Sequence, residues 1–144
     1  MPISPAQAAD LPRLFEVWES AVRTTHDFLT EEAIAQLAPL VRNLLADCSP
    51  LYCLRDSNGA PYAFLGVAAG TIEMLFVHPE RRGAGAGRTL AEFAIATLGA
   101  RKVDVNEQNG QAAGFYRRLG FEQVGRSALD PFGNPYPILH LELP

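Results

Sequence analysis

Apolar residues change their spacing along the chain, and the changes mark out alternating helices and strands. Leu11, Leu14, Phe15, Val17, Trp18, Ala21 and Val22 recur on one helical face. This predicts a first helix running to about Arg23, with Asp10 as its N-cap and Pro12 in its first turn. Ile3 and its neighbours predict a short strand before it. After a loop over 24–29, Thr30 followed by Glu31 and Glu32 reads as the cap and acidic first turn of a second helix. Ile34, Leu37, Val41, Leu44 and Leu45 form its apolar face, and Pro39 is expected to kink it or divide it in two.

From Leu51 the pattern fits strands, over 51–55, 60–68 and 71–77. Asp56-Ser57-Asn58-Gly59 carries the Asn-Gly hairpin signal and Gly70 introduces the third strand, which together predict an antiparallel meander. Leu90, Phe93, Ala94 and Leu98 return to helical spacing, closed by Gly99. Val103 and Val105 mark a short strand. A compact helix built on Ala112, Ala113, Phe115, Tyr116 and Leu119 follows and ends at Gly120. Strands over 121–127 and 138–143 complete the order β-α-α-β-β-β-α-β-α-β-β, an α/β (α+β) domain of three layers spanning 1–144.

Composition narrows the possible roles. A hydrophobic share of 48% with 19% charged residues is that of an ordered globular chain. A net charge of −4 and a pI near 5.3 argue against nonspecific nucleic-acid binding, which needs a basic surface. The N-terminus lacks a basic start and an apolar core, and the apolar run 63–77 is broken by Gly66, Gly70 and Glu73, so neither secretion nor membrane insertion is expected. Cys48 and Cys53 have no neighbouring His or Cys to complete a metal site and read as reduced structural thiols of a cytoplasmic protein.

Chemistry concentrates in residues 71–88. There an apolar strand enters a basic, glycine-rich turn and then a helix, the arrangement of an anion site for a phosphorylated cofactor. A dinucleotide fold would place such a turn after the first strand of a parallel sheet, whereas here it follows a meander, and no Gly-Lys-Ser/Thr follows to make a Walker A loop.

Two separated motifs carry a resemblance. Arg82-Gly83-Ala84-Gly85-Ala86-Gly87 fits R/Q-x-x-G-x-G/A, and Asn109, Ala112 and Tyr116 followed by Gly120-Phe121 fit N-x-x-A-x-x-x-Y with Gly-Phe after it. With this element order, the chain resembles the GCN5-related N-acetyltransferases, the GNAT family. Its 22–29 segment, containing Thr-His-Asp-Phe-Leu, and its Pro135-Tyr136-Pro137 ending resemble a subgroup of small bacterial enzymes, some regarded as protein-lysine acetyltransferases. The resemblance implies a mixed central sheet of about six to seven strands flanked by about four helices. It also implies acetyl transfer from acetyl-CoA to a primary amine by direct attack in a ternary complex, without a metal. The acceptor would be a small-molecule amine or a protein lysine or N-terminus, and the protein a monomer or homodimer.

By the same resemblance, the backbone N–H groups of residues 83–88, Gly83, Ala84, Gly85, Ala86, Gly87 and Arg88, hold the pyrophosphate, and Arg82 and Arg88 add positive charge. The edge of Leu75, Phe76 and Val77 pairs with the pantetheine arm, and a strand N–H there would contribute about 3 kcal/mol as an oxyanion donor. Tyr116 is the general acid in this reading and a core aromatic in the structural one. Asn109 contacts pantetheine, caps a helix, or does both. Glu73 is the first candidate base, as a carboxylate in a half-buried place with a raised pKa; otherwise it faces solvent or pairs with Arg81. Asn106 and Glu107 are second choices. His26 and Asp27 would bind or deprotonate the acceptor, His26 as a catalytic base since histidine can act as one near neutral pH, or serve only local turn geometry, with Phe28 and Leu29 as core or pocket wall. His140 reads as a packed core histidine and His78 as part of a strand-ending turn. Arg117 and Arg118 would meet the coenzyme 3′-phosphate or simply suit a helix C-terminus. The alternative function is a noncatalytic acyl-CoA-binding regulator on the same fold.

Overall fold

The computed structural model describes residues 2–25, 29–48 and 50–144. The elements are β1 (Ile3–Pro5), α1 (Leu11–Thr25), α2 (Glu31–Asp47), β2 (Leu51–Arg55), β3 (Pro61–Ala68), β4 (Thr71–Val77), α3 (Ala86–Ala96), β5 (Lys102–Asn106), α4 (Gly110–Arg118), β6 (Glu122–Ser127) and β7 (Ile138–Glu142). They follow the order expected from the hydrophobic spacing.

Asp10 differs from its expected place. Helical winding already begins in a 3₁₀ turn over Ala8–Asp10, so Asp10 lies inside the entry to α1 instead of capping it. Its carboxylate accepts from the Gln7 N–H at 2.8 Å and from Arg55 Nη1 and Nη2 at 3.0 and 2.8 Å. Arg55 also donates to Ser4 Oγ at 3.0 Å, so one guanidinium ties the start of α1 to β1 and β2.

α2 is one continuous helix, with Pro39 inside it, and is not divided in two. The proline removes one intrahelical bond to the Ala35 carbonyl, but Ala35 and Pro39 are both exposed, so water can serve that group. Buried Ile34 and Leu45 hold the helix to the core on either side of the break in bonding. At its start Thr30 caps as expected, accepting from the Ala33 N–H at 3.1 Å.

The hairpin turns exchange their expected geometries. Between β2 and β3 the Asp56 carboxylate accepts the N–H groups of Asn58 and Ala60 at 2.8 and 3.0 Å, and of this loop only Gly59 has positive φ, so Asn-Gly does not form a two-residue turn. Between β3 and β4 both Ala69 (φ 51°) and Gly70 (φ 76°) are left-handed, as a tight hairpin turn requires. Among the described residues Ala69 is the non-glycine held in that region.

The sheet has seven strands in the order β1-β2-β3-β4-β5-β7-β6, antiparallel except where β4 meets β5. Strand alternation sends side chains into two cores. On one face Ile72, Val103, Val105, Leu139 and Leu141 pack with Leu90 and Ala94 of α3 and Ala113 and Tyr116 of α4. On the other, Cys53, Phe64 and Met74 pack with Leu14, Trp18 and Val22 of α1 and Ile34 and Leu45 of α2. A bulge in β4 pairs Met74 with Gly66 and Ile72 with Val67, leaving Glu73 between them without a partner residue on β3.

Two stability measurements follow. Ala69→Asn relieves left-handed strain and should raise stability by about 0.5–1 kcal/mol, read from the denaturant midpoint at unchanged slope; an unchanged or lower midpoint would contradict the turn. Asp10 titrates below its ordinary 3.8, chiefly because Arg55 donates to it. A depressed carboxylate stabilises above the unfolded-state value and loses that contribution as pH falls through the folded-state value. Asp10→Asn should therefore cost about 1–2 kcal/mol at pH 7 and progressively less below about pH 4. A cost that stays constant down to pH 2 would remove the ion pair as its cause.

Candidate active site

β4 and β5 are paired only at Thr71↔Lys102 and Ile72↔Val103. Beyond these, β4 continues to Val77 with β3 on one side and nothing paired on the other. The sheet therefore opens into a gap whose one wall is a free strand edge.

At the end of β4 the chain turns sharply. His78 Nδ1 accepts from the Glu80 N–H at 3.2 Å, so this histidine belongs to the strand-ending turn, as expected. Gly83 (φ 81°) and Gly85 (φ 86°) then take conformations that a side chain would strain, and Gly85 delivers the chain into α3. The N–H groups of the first turn of α3 are left without intrahelical partners at the mouth of the gap. Across the gap, the Asn109 side chain accepts from the Ala112 N–H at 3.1 Å and starts α4. Two helical turns later Tyr116 is buried, its ring 5.1 Å from Phe115 and 5.6 Å from Phe121, and burial pushes its phenol well above the ordinary value. A phenol so placed is a neutral donor at physiological pH.

A cleft of about 420 Å³ joins these parts. Leu75, Phe76 and Val77 border it along β4; Arg82, Gly83, Gly85, Ala86, Gly87 and Arg88 at the turn; and Asn109 and Tyr116 on the α4 side. Of the expected cofactor residues, Ala84 lies in the turn without bordering the cleft. Phe76 and Ala21 belong to the α1 side of the sheet, whereas Ala86 and Tyr116 belong to the α3 side, so the cleft passes through the sheet. Arg118 borders it, while Arg117 turns away to Gln123 at 3.3 Å. Sequence reading missed Gln111, which bonds Arg82, and Phe115, which covers Gly87 at 3.6 Å from where its Cβ would be. Both face the turn only because α4 packs across it, a tertiary relation that no local pattern carries.

The acceptor-side expectations fare differently. Glu73 is exposed and does not border the cleft, so the half-buried setting expected of a base is not there; the bulge turns it outward on the α1 face, where its charge acts on Cys48. Nor is Arg81 its partner, since that guanidinium lies over the Tyr62 ring at 4.6 Å. Glu107 is held below the ordinary carboxylate range chiefly by the Arg126 hydrogen bond, with which it forms an exposed ion pair, and Asn106 ends β5 half-buried. His26, Asp27 and Phe28 lie outside the described residues. Leu29 packs against the α1–α2 core. Cys48 and Cys53 are free, and burial raises both thiols.

His140 is not a packed core histidine. Its neighbours Leu139 and Leu141 enter the core, so alternation along β7 sends His140 to the opposite, partly open face. There Nδ1 lies 2.7 Å from Asp104 Oδ1 and Nε2 2.7 Å from Ser127 Oγ.

The model of the Acetyltransferase (GNAT) domain matches residues 50–123. Peptidyl-lysine N-acetyltransferase YjaB of Escherichia coli (strain K12) is 40% identical over 128 residues, covering 89% of this chain and 86% of that protein. The chain belongs to the GNAT acetyltransferase family. The solution structure of apo YjaB from Escherichia coli superposes with a TM-score of 0.89 at 38% identity, covering 99% of this chain and 97% of that one. The Thermoplasma acidophilum PaiA N-acetyltransferase in complex with coenzyme A shares the fold, at TM-score 0.68 and 20% identity over 99% of each chain. GNAT acetyltransferases use acetyl-CoA, and this GNAT chain is an enzyme that transfers acetyl to amines. Among the described residues no helix is long and apolar enough to cross a membrane.

The two glycines at the start of α3 should respond differently to a methyl group. Gly85→Ala forces a side chain into the left-handed region and should cost about 1–2 kcal/mol. Gly87→Ala meets Phe115 and Val77 only at ordinary contact distances inside a helix and should be neutral or stabilising by up to about 1 kcal/mol. Equal losses in thermal or chemical unfolding would contradict this turn geometry.

Proposed function

We propose that the cleft binds acetyl-CoA and that the enzyme acetylates lysine side chains of proteins. The observation that carries this reading is the single cleft through the sheet, which brings the glycine turn, the unpaired edge of β4 and the buried Tyr116 together. The residues fit the group. The N–H groups of Gly83 to Arg88 would receive the pyrophosphate, since Gly83 and Gly85 clear the approach and the α3 N-terminus favours negative charge. Arg82, Arg88 and Arg118 add cationic side chains at the same mouth. Leu75, Phe76 and Val77 offer a free strand edge to the amides of the pantetheine arm.

When bound, acetyl-CoA supplies the acetyl group as a thioester. A β4 N–H along the free edge would stabilise the oxyanion formed on attack. Tyr116, kept protonated by burial, would give its proton to the departing sulfur, and Asn109 fixes the start of the helix that aims it. Glu73 stands on the α1 face, where an exposed carboxylate attracts a cationic amine, and His26 belongs to the α1–α2 connection expected over the acceptor. Lysine as acceptor is supported by the peptidyl-lysine specificity named for YjaB and by the net charge of −4. The relatives are named as enzymes, which favours catalysis over a noncatalytic regulator. We read residues 1–144 as one catalytic domain, cytoplasmic in keeping with its free thiols, acting as a monomer or homodimer.

Acetyl-CoA should raise the melting temperature of the wild type by several degrees, and Gly85→Glu should abolish that shift while leaving a cooperative unfolding transition. An undiminished shift in the variant would misplace the pyrophosphate site. On lysine peptides Tyr116→Phe should lower kcat by about 10²-fold or more with acetyl-CoA binding retained. Wild-type protein that binds acetyl-CoA but acetylates no lysine peptide would refute lysine as acceptor.

A further inference from the structure

A phosphate group is bound well by a cation that is already in place, and an exposed arginine ordinarily is not, because its side chain must give up several free torsions when the anion arrives. We propose that Gln111 is a positioning residue that holds the Arg82 guanidinium at the mouth of the cleft, ready for the pyrophosphate of acetyl-CoA. The inference rests on the acetyl-CoA reading above and adds to it a residue that neither family motif specifies.

The two ends of Arg82 are fixed separately. Its backbone closes a 3₁₀ turn over Pro79–Arg81, where its N–H donates to the Pro79 carbonyl at 3.3 Å. Its guanidinium donates from Nη2 to Gln111 Oε1, in the first turn of α4. Both side chains border the cleft, so the bond runs across its mouth from the glycine turn to α4. Helical spacing puts Phe115 one turn further along the same face of α4, and its ring lies 3.6 Å from where a Cβ on Gly87 would be. One face of α4 thus meets the turn twice, at the side chain of Arg82 and at the backbone of Gly87.

The chemistry of the pair assigns the roles. A guanidinium can only donate, so the amide must turn its Oε1 toward Arg82. That acceptor is neutral, and it orients the guanidinium without cancelling its charge. The fork keeps its remaining N–H donors for phosphate oxygens. The neighbouring arginines are held differently: Arg88 is compensated by Glu92, Nε to Oε1 at 2.8 Å, and Arg81 lies over the Tyr62 ring at 4.6 Å. Of these three, Arg82 combines a fixed side chain, a place at the cleft and a neutral partner.

Folding gives little reason for the contact. Arg82 and Gln111 are both exposed, so the bond between them largely replaces bonds that each would make to water. Alanine or methionine would suit this helical position as well as glutamine does. The contribution of Gln111 therefore belongs to binding, where an arginine ordered in advance lowers the entropic cost of capturing the anion.

The test is a double-mutant cycle on acetyl-CoA affinity, read by calorimetry on the full chain, with Gln111→Met, Gln111→Ala, Arg82→Ala and the combined Arg82→Ala, Gln111→Ala variant beside the wild type. Methionine keeps the length and helix preference of glutamine and removes the acceptor. Gln111→Met and Gln111→Ala should each raise Kd about three- to tenfold. Arg82→Ala should raise it at least as much, and adding Gln111→Ala to it should cost nothing further, because the residue acts through Arg82. On lysine peptides the Gln111 variants should raise the KM for acetyl-CoA by a similar factor and keep kcat within about twofold of the wild type. An unchanged Kd in Gln111→Met or in Arg82→Ala, losses that multiply in the combined variant, or a fall in kcat as large as the rise in KM each overturns the proposal. So does a Gln111→Met protein that no longer unfolds cooperatively, since the residue would then be structural. The Kd cycle needs no acceptor, so it decides whether or not lysine is acetylated. Wild-type protein that binds no acetyl-CoA would overturn both this proposal and the reading beneath it; wild-type binding with any of the contrary outcomes overturns this one alone.

Discussion

Parallel strands that stop pairing are costly, because every backbone group past the last bond must find water or another partner. Here β4 and β5 make their last contact at Ile72 and Val103, and the free length of β4 beyond it is what the remaining elements accommodate. α3 and α4 pack against the two separated strands from one face, and α1 lies across β3 and β4 on the other. The opening is bounded by packed helices on both sides of the sheet, so its width is set by two cores and not by a loop. A site built in this way is preorganised: the strand edge, the helix N-terminus and the buried phenol are fixed before any substrate arrives.

The local devices around the opening serve it from different directions. Gly85 turns the chain so that the first N–H groups of α3 face the mouth, and Asn109 starts α4 at the height that brings Tyr116 to the cleft. Far from the site, the Arg55 and Asp10 ion pair fastens α1 to the first strands, and α1 is the element that closes the opposite side of the opening through Ala21. Mechanical support and chemistry thus meet in elements that are distant in sequence.

Much of this was legible in the chain. Period-two and helical spacing gave the order of elements because each strand or helix has one face committed to a core, and the paired motifs around Arg82 and Asn109 gave the cofactor side because glycines and a capping asparagine act locally. Relations between elements were harder to read. Asn58-Gly59 carries the stronger turn signal, yet the tight turn forms at Ala69-Gly70, where pairing of β3 with β4 leaves room for only two residues and overrides the preference of Ala69. Pro39 sits in an unbroken helix because packing at Ile34 and Leu45 outweighs one lost bond. Glu73 and His140 were misjudged for one reason: the side of a sheet on which a polar residue lies depends on the bulge and the core around it, and a lone polar residue in an apolar strand does not announce its face.

The bulge at Glu73 has a further meaning. Ile72 and Met74 already enter opposite cores, as adjacent residues of a regular strand would, so the side-chain pattern closes without the residue between them. Glu73 is therefore surplus to the hydrophobic code of β4. What it adds is extra backbone on one edge of the strand, and extra length on one edge bends a ribbon away from its neighbour. The bend falls one residue past the last β4–β5 bond, where a sheet that would otherwise close begins to separate.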